Sequence, residues 1–320
     1  MNTSNCTNQC DYEFKAFGFL LPLMAGVLFS LSLPTIIALC TTRAVAKGLR
    51  MYLISALVSG ILISINSTLI GLITLVTVFA DVQPPPHLLC RFLIWVYNIG
   101  QVARSFSVVG FSLMVLAVVR YGHKNMKIMY IILSLCIVWG ISLLLTVQYQ
   151  VHQVYAVKFT VGSVCLPVQD GTIFIEARIF FTVFVLAVIT FVPLFVCTAV
   201  SIIVFCYLKR HNITGDINYN KIVTKLAMFL LTGNLINSTG SIVISILAYF
   251  TTGHGSVALI YFIYAIGLLS LYPTPILILS FLKPVRDNLK MILKCICLCG
   301  RHPSFAETTA KSMSTANTSL

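Results

Sequence analysis

Acidic residues are scarce in this sequence, and their positions are uneven. Only 8 Asp and Glu residues stand against 21 Lys and Arg in 320 residues. None of the acids falls inside any of seven long apolar runs, which cover 17–40, 51–79, 93–119, 128–147, 179–208, 226–250 and 257–282. The stretches between the runs are too short to form a soluble domain, so a soluble enzyme is excluded.

Each apolar run is long enough to cross a membrane. The hydrocarbon layer is about 30 Å thick and needs about 20 apolar residues of helix. Hydrophobic residues make up 58% of the chain and charged residues 9%. A backbone in lipid must satisfy its own hydrogen bonds, which a helix does. The sequence therefore predicts an all-α membrane protein, a seven-transmembrane helix bundle over residues 17–282.

Basic residues between the runs predict the orientation. If the N-terminus is outside, 16 of the 21 Lys and Arg lie on the cytoplasmic side, and Arg104 lies within a run. This bias predicts a multi-pass protein of the plasma membrane with an extracellular N-terminus. The net charge of +13 then faces anionic inner-leaflet lipid, and nucleic acid is not expected as a partner.

The predicted orientation also indicates which glycosylation sequons and cysteines are extracellular. Residues 1–16 form an extracellular tail with two reachable glycosylation sequons, at Asn2 and Asn5. Extracellular cysteines favour disulfides, and four are predicted there: Cys6, Cys10, Cys90 and Cys165. The partners of Cys6 and Cys10 stay open. No metal-ligand cluster, phosphate-binding loop or nucleophile–His–acid set occurs, so neither catalysis nor a cofactor or metal is predicted.

The third run ends Val119-Arg120-Tyr121. This resembles the Asp-Arg-Tyr motif of rhodopsin-like (class A) G-protein-coupled receptors, with Val119 in place of the acid. The resemblance covers about residues 17–300 and includes Trp139 in the fourth run. It implies a receptor that binds an extracellular ligand and activates a heterotrimeric G protein.

The resemblance implies roles for particular residues. Cys90 and Cys165 would form the disulfide that ties the third helix to the second extracellular loop. The cytoplasmic cavity that receives the G protein would be rimmed by Arg120, Tyr121, Lys124, Tyr207 and Lys225. Because Val119 replaces the acid that restrains the arginine, basal signalling should be raised.

The switch region departs from the family pattern. In the seventh run Pro273 and Pro275 kink the helix, and Thr274-Pro275 stands in the place of Asn-Pro. In the sixth run the family's tryptophan and proline are replaced, and Gly240 is the residue expected to soften the helix. The buried acid of the family falls near Gly60, so its sodium site is not built here.

Residues 283–299 repeat apolar and basic positions in the pattern of a short amphipathic eighth helix. The resemblance implies palmitoylation of three cysteines there: Cys295, Cys297 and Cys299. Residues 300–320 are rich in Ser and Thr and are predicted to be disordered, with arrestin as an implied partner. The terminus, Thr318-Ser319-Leu320, fits the pattern that PDZ domains bind.

Arg104 lies 16 residues before Arg120, which is about 24 Å along a helix. A charge at that depth is costly and usually functional. It predicts either an anionic ligand or a network of polar groups, the candidates being Asn66, Ser107, Asn234, Asn237 and backbone carbonyls. With Tyr97, Asn98 and Gln101 above it, Arg104 is a candidate for the ligand pocket.

Two other classes of protein stay open. One is a seven-helix transporter or channel that uses Arg104 as a substrate or ion site. Transporters tend to show internal repeats and paired broken helices, and the sequence shows neither. The other is a receptor-like scaffold that binds partners without signalling.

Overall fold

The computed structural model of the chain describes residues 3–79, 87–121, 128–151, 155–158, 163–166, 191–211, parts of 222–235, and 265–299. Within these segments nearly all residues are helical. The helices are α1 (Thr3–Thr41), α2 (Lys47–Phe79), α3 (His87–Tyr121), α4 (Ile128–Val151), α5 (Val192–His211), α6 (Thr224–Gly233), α7 (Pro273–Phe281) and α8 (Lys283–Cys299). A short helical segment over 265–269 precedes α7, and the turn over 270–272 between them is called the break of α7.

The chain is a membrane protein. Within the part of the chain that the structure describes, four helical stretches are long and apolar enough to cross a bilayer: Gly18–Thr41, Lys47–Thr77, Trp95–Tyr121 and Ile128–Val147. A fifth arises if Ala265–Phe281 and Lys283–Cys295, which bend by 95°, are taken as one span. The prediction of a helical membrane protein is thus confirmed. Much of the predicted fifth and sixth runs lies outside the described residues, so the count of seven stays a prediction.

α1 begins within the predicted extracellular tail of residues 1–16. The helix starts at Thr3, well before its apolar stretch at Gly18. Its polar first turns therefore extend the same helix beyond the part that can lie in lipid. The extracellular position of this end stays a prediction.

Small residues let α1, α2 and α3 approach closely, as is typical of helices in membranes. A Cβ atom on Gly71 of α2 would lie 2.6 Å from Cδ of Pro22 and 3.2 Å from the carbonyl oxygen of Gly18, both in α1. A Cβ atom on Gly100 of α3 would lie 2.7 Å from Cγ1 of Ile63 in α2. Both positions thus require glycine.

α3 is the central helix of the described bundle. It packs against α2, α4 and α5, and 61% of its most apolar window is buried, against 11% for α4. In its C-terminal half Phe111 and Val115 belong to the hydrophobic core, together with Leu53 of α2 and Val204 of α5. α4 instead presents most of its surface outward, which in a membrane protein means to lipid.

A β-hairpin follows α4 and is a feature that the sequence reading missed. β1 (Tyr155–Lys158) pairs antiparallel with β2 (Ser163–Leu166), with Ala156 opposite Cys165. β2 lies against α2 and α3, and β1 lies against α3. Each strand has only 4 residues, too few for their alternation to stand out in the sequence.

α8 leaves α7 at a sharp bend and is held to the end of α1. The side-chain amide of Asn288 donates hydrogen bonds to the carbonyl oxygen of Ala38 at 3.1 Å, to Thr41 Oγ1 at 2.7 Å and to Thr42 Oγ1 at 3.0 Å. The last carbonyls of a helix lack intrahelical donors. Arg50 caps the same end of α1, because its Nη1 donates a hydrogen bond to the Thr42 carbonyl oxygen at 2.6 Å.

Replacing Asn288 by aspartate is expected to lower the unfolding free energy by about 1–3 kcal/mol, since a carboxylate cannot donate to the Ala38 carbonyl. Thermal unfolding of the purified protein in detergent measures the effect. Asp287→Asn, which changes charge at the exposed neighbouring position, is the control and should change stability little. Equal unfolding temperatures for the two variants would contradict the capping role.

Candidate functional site

Arg104 is the largest fully buried side chain among the described residues, with 1% of its surface exposed. It lies in the middle of α3, far from both ends of the predicted third run. The long helix places it there because its neighbours in sequence, such as Ala103 and Val108, are buried apolar residues of the same bundle face. Lipid and bulk water are both kept from the guanidinium.

The guanidinium binds the start of α7. Nη2 donates to the carbonyl oxygen of Ser270 at 2.8 Å and to Thr274 Oγ1 at 3.4 Å, and Nη1 donates to Ser270 Oγ at 3.4 Å. A Cβ atom on Gly233 of α6 would lie 3.6 Å from the same carbonyl oxygen and 4.0 Å from Nη2. α3, α6 and α7 therefore meet at this one pair of groups.

The carbonyl of Ser270 is available because the helix is broken there. Residues 270–272 form a turn, and Pro273 and Pro275 have no N–H to donate. The N–H of Thr274 bonds the carbonyl of Leu271 at 3.1 Å rather than that of Ser270. An unpaired buried carbonyl is costly, and Arg104 supplies the missing donor.

This geometry decides which of the predicted partners holds Arg104. A backbone carbonyl was among the candidates, and it is the closest contact. Ser107 Oγ instead donates to the carbonyl of Ala103 at 2.6 Å. The amide of Asn66 is buried and has no hydrogen-bond partner in the described part of the chain. Asn234 and Asn237 lie outside the described residues.

A small cavity borders Arg104. Its volume is about 10 Å³, and its polar or small wall residues are Ser32 of α1, Gly60 of α2 and Thr274 of α7. The other described residues around it are aliphatic or proline. Residues of α1, α2 and α7 thus line a small space beside the Arg104 side chain of α3.

A second polar chain joins α4, α2 and α3. Trp139 Nε1 donates to Ser55 Oγ at 3.0 Å, and Ser55 Oγ lies 2.8 Å from Ser107 Oγ. Nearer the N-terminal end of α2, Tyr52 Oη contacts Ser134 Oγ of α4. Trp139 is half-buried, and its indole N–H makes the contact with Ser55 within the bundle.

The remaining ligand-pocket candidates lie above Arg104 on α3. Gln101 Nε2 donates to Tyr97 Oη at 3.1 Å, and both side chains are partly buried. Asn98 is also partly buried. Spacings of three and four residues put Tyr97, Gln101 and Arg104 along one stripe of the helix, but only Arg104 contacts α7 among the contacts described.

Four of the five residues predicted to rim the G-protein cavity lie in the described part of the chain. Arg120 and Tyr121 are exposed at the end of α3, and the guanidinium carbon of Arg120 lies 5.5 Å from the centre of the Tyr121 ring. Lys225 is exposed in α6, and Tyr207 is partly buried in α5. Lys124 lies outside the described residues.

The other predicted sites are only partly visible. Cys295 is an exposed free cysteine of α8. Cys90 lies in α3, Cys165 in β2, Asn5 in α1, and Cys297 and Cys299 in α8, but the side chains of these residues are outside the description. Asn2, Gly240 and residues 300–320 lie outside it altogether. Among the described residues, no group of His, Cys, Asp or Glu could hold a metal ion.

Three residues that make contacts between helices were not singled out from the sequence: Ser55 and Ser270 near the site, and Asn288 between α8 and α1. The two prolines at 273 and 275 are the signal that could have indicated Ser270, because each proline disturbs the hydrogen bonding of the preceding turn. Serines and asparagines in a membrane helix give no comparable signal, since their hydroxyls and amides often bond within the same helix.

Comparison with protein-family models finds no match for this sequence, and comparison with curated proteins finds no significant similarity.

Proposed function

We propose that this chain is a cell-surface receptor in which an extracellular ligand changes helix packing and so activates a heterotrimeric G protein. The observation that carries the proposal is the position of α3. That helix contacts α2, α4, α5 and the hairpin, binds the break of α7 through Arg104, and ends at the exposed Arg120 and Tyr121.

A change at one end of α3 has a physical route to the other end. Polar contacts at Ser107, Arg104 and Ser112 hold α3 to α2, to the break of α7 and to α5, respectively. Such contacts are either made or broken, so they favour discrete packing arrangements over gradual deformation. A ligand that binds one arrangement better than another shifts the population between them. The break of α7 at Ser270 is the element that could hold two arrangements.

The distribution of basic residues supports the orientation of this receptor. With the N-terminus outside, the hairpin between the fourth and fifth runs is extracellular and Arg120 is cytoplasmic. β2 lies against α3, which supports a disulfide between Cys165 and Cys90. The partly buried Tyr97, Asn98 and Gln101 then face the outer half of the bundle, where we place the ligand.

α8 would lie on the inner leaflet. Its buried Val285 and its Asn288 hold it to the bundle, while Met291, Leu293 and Cys295 are exposed among Lys290 and Lys294. Apolar and basic side chains together suit the surface of an anionic membrane. Palmitoylation at Cys295 would add a second anchor to this lipid contact.

Arg120→Ala is expected to reduce basal G-protein activation to background, because the guanidinium is the exposed donor at the end of α3. Val119→Asp should lower basal activation about two- to fivefold, since an exposed ion pair of about 0.5–1 kcal/mol would restrain Arg120. Activation is measured per receptor at the cell surface.

Arg43→Ala, which removes an exposed charge from the predicted cytoplasmic end between α1 and α2, is the control and should keep basal activation. Unchanged basal activation in Arg120→Ala, at normal surface level, would contradict G-protein coupling. It would favour the transporter or the scaffold instead.

A further inference from the structure

Three polar side chains of α2 and α3 have buried atoms without a hydrogen-bond partner among the described residues: Asn66, Ser67 and Trp95. Asn66 is 1% exposed and lacks a partner for both its amide nitrogen and its amide oxygen, and Ser67 is fully buried. By contrast, Ser64 of the same helix donates to the carbonyl oxygen of Gly60 at 2.9 Å. Buried polar groups are nearly always paired, so the amide of Asn66 is an exception.

The unpartnered groups lie near one level of the bundle. The contacts described above between α2 and α3 run antiparallel along the two helices, and among them Ile63 packs against Gly100. On α2, Asn66 lies about one helical turn beyond Ile63. On α3, Tyr97 and Trp95 lie within about one and a half turns before Gly100. Asn66 therefore reaches the level at which α3 carries its candidates for the ligand pocket.

An unpaired amide makes this packing of α2 against α3 costly. The amide of Asn66 is removed from water without a compensating hydrogen bond, and lipid chains offer neither donors nor acceptors in its place. Groups that are poor for stability are retained where they serve a function. An arrangement of the same helices in which Asn66 is hydrogen-bonded would be free of this penalty.

From these unpartnered groups beside the predicted ligand pocket, we infer that α2 and α3 have a second packing arrangement at this level, in which Asn66 is hydrogen-bonded. The amide of Asn66 then favours the second arrangement over the one in the structure. A ligand that binds the second arrangement better shifts the population toward it. The inference rests on the proposed function in one respect, namely that the second arrangement is the one that activates the G protein.

Asn66→Leu tests this inference, because it replaces the amide by an apolar group of similar size. The unfolding temperature of the purified full-length protein in detergent should rise by roughly 2–4 °C, since the packing in the structure loses an unpaired amide. Hydrogen–deuterium exchange of the backbone amides over residues 60–70 of α2 should slow at least about threefold, because the second arrangement loses its hydrogen bonds. Basal G-protein activation per receptor at the cell surface should fall by a similar factor.

Ser67→Ala and Ser64→Ala are a matched pair, since both hydroxyls are buried on α2 and of the two only that of Ser64 has a partner. Ser67→Ala should raise the unfolding temperature, and Ser64→Ala should not. A lower unfolding temperature for Asn66→Leu would overturn the inference, because the amide would then be paired already, for example by an ordered water. A higher unfolding temperature without slower exchange would overturn it too, since no second arrangement would be involved.

Basal activation separates this inference from the receptor proposal. Suppose that Arg120→Ala abolishes basal activation, whereas Asn66→Leu slows exchange and leaves basal activation unchanged. The second arrangement would then exist without being the signalling one, which would overturn the role of Asn66 in coupling. If Arg120→Ala leaves basal activation unchanged, the proposed function fails, and the unfolding temperature and the exchange rate still decide between one packing arrangement and two.

Discussion

Replacing Gly71 by valine is expected to reduce folded protein at the cell surface at least several-fold. The Cβ atom alone would lie 2.6 Å from the ring of Pro22 and 3.2 Å from the Gly18 carbonyl oxygen. Neither a proline ring nor a backbone carbonyl moves easily, so α1 and α2 would have to separate. Overpacking of this kind costs about 1–3 kcal/mol, a large share of the stability of a typical protein.

Surface labelling and thermal unfolding in detergent measure this effect, and Gly26→Val is the control. Gly26 is exposed on α1, and a Cβ atom there meets nothing within 4 Å. Gly26→Val should therefore change the unfolding free energy only by the difference in helix propensity between glycine and valine, which is under about 1 kcal/mol. Equal losses in the two variants would show that the α1–α2 contact is looser than described.

The second large effect is a coupling between Arg104 and the prolines of α7. Arg104→Met leaves the Ser270 carbonyl without its donor, and an unsatisfied buried carbonyl costs about 1–3 kcal/mol. In a Pro273→Ala/Pro275→Ala background the helix can close, and the N–H of Thr274 can bond Ser270. Arg104→Met should then cost less, with a coupling of about 1–2 kcal/mol.

The coupling is read from the unfolding free energies of the four proteins in a double-mutant cycle. Pro284→Ala, at an exposed position in the first turn of α8, serves as the control partner for Arg104→Met. That pair is expected to be additive, because the two sites share no contact. If Arg104→Met and Pro273→Ala/Pro275→Ala were additive as well, the bond from Arg104 to the Ser270 carbonyl would not compensate for the break of α7.

The long helices follow directly from the sequence, and the reason is physical. Lipid forces an apolar run to satisfy its backbone internally, so the runs at 51–79, 93–119 and 128–147 predict helices wherever they lie. The observed α2, α3 and α4 contain these runs and extend a few residues beyond them. Polar residues at helix ends can continue a helix into water, which run length alone does not reveal.

The partners of polar residues could not be predicted in the same way. Arg104 was identified as costly from its depth alone, but its contact with Ser270 joins residues 166 positions apart. Asn288 looks like an ordinary polar residue of an amphipathic helix until it is seen beneath the end of α1. Such contacts depend on how helices pack, and no periodicity in the sequence encodes them.

The hydrogen bonds between α8 and α1 also affect the order in which the helices are completed during synthesis. Asn288 and Ala38 are 250 positions apart, so the donor is made long after the carbonyl that it serves. At about 5–20 residues per second, translation takes roughly 10–50 s to cover that distance. Throughout that interval the Ala38 carbonyl in the last turn of α1 lacks the side-chain amide of Asn288 as its hydrogen-bond donor. α1, the earliest of the described helices to be made, is thus among the last to be completed.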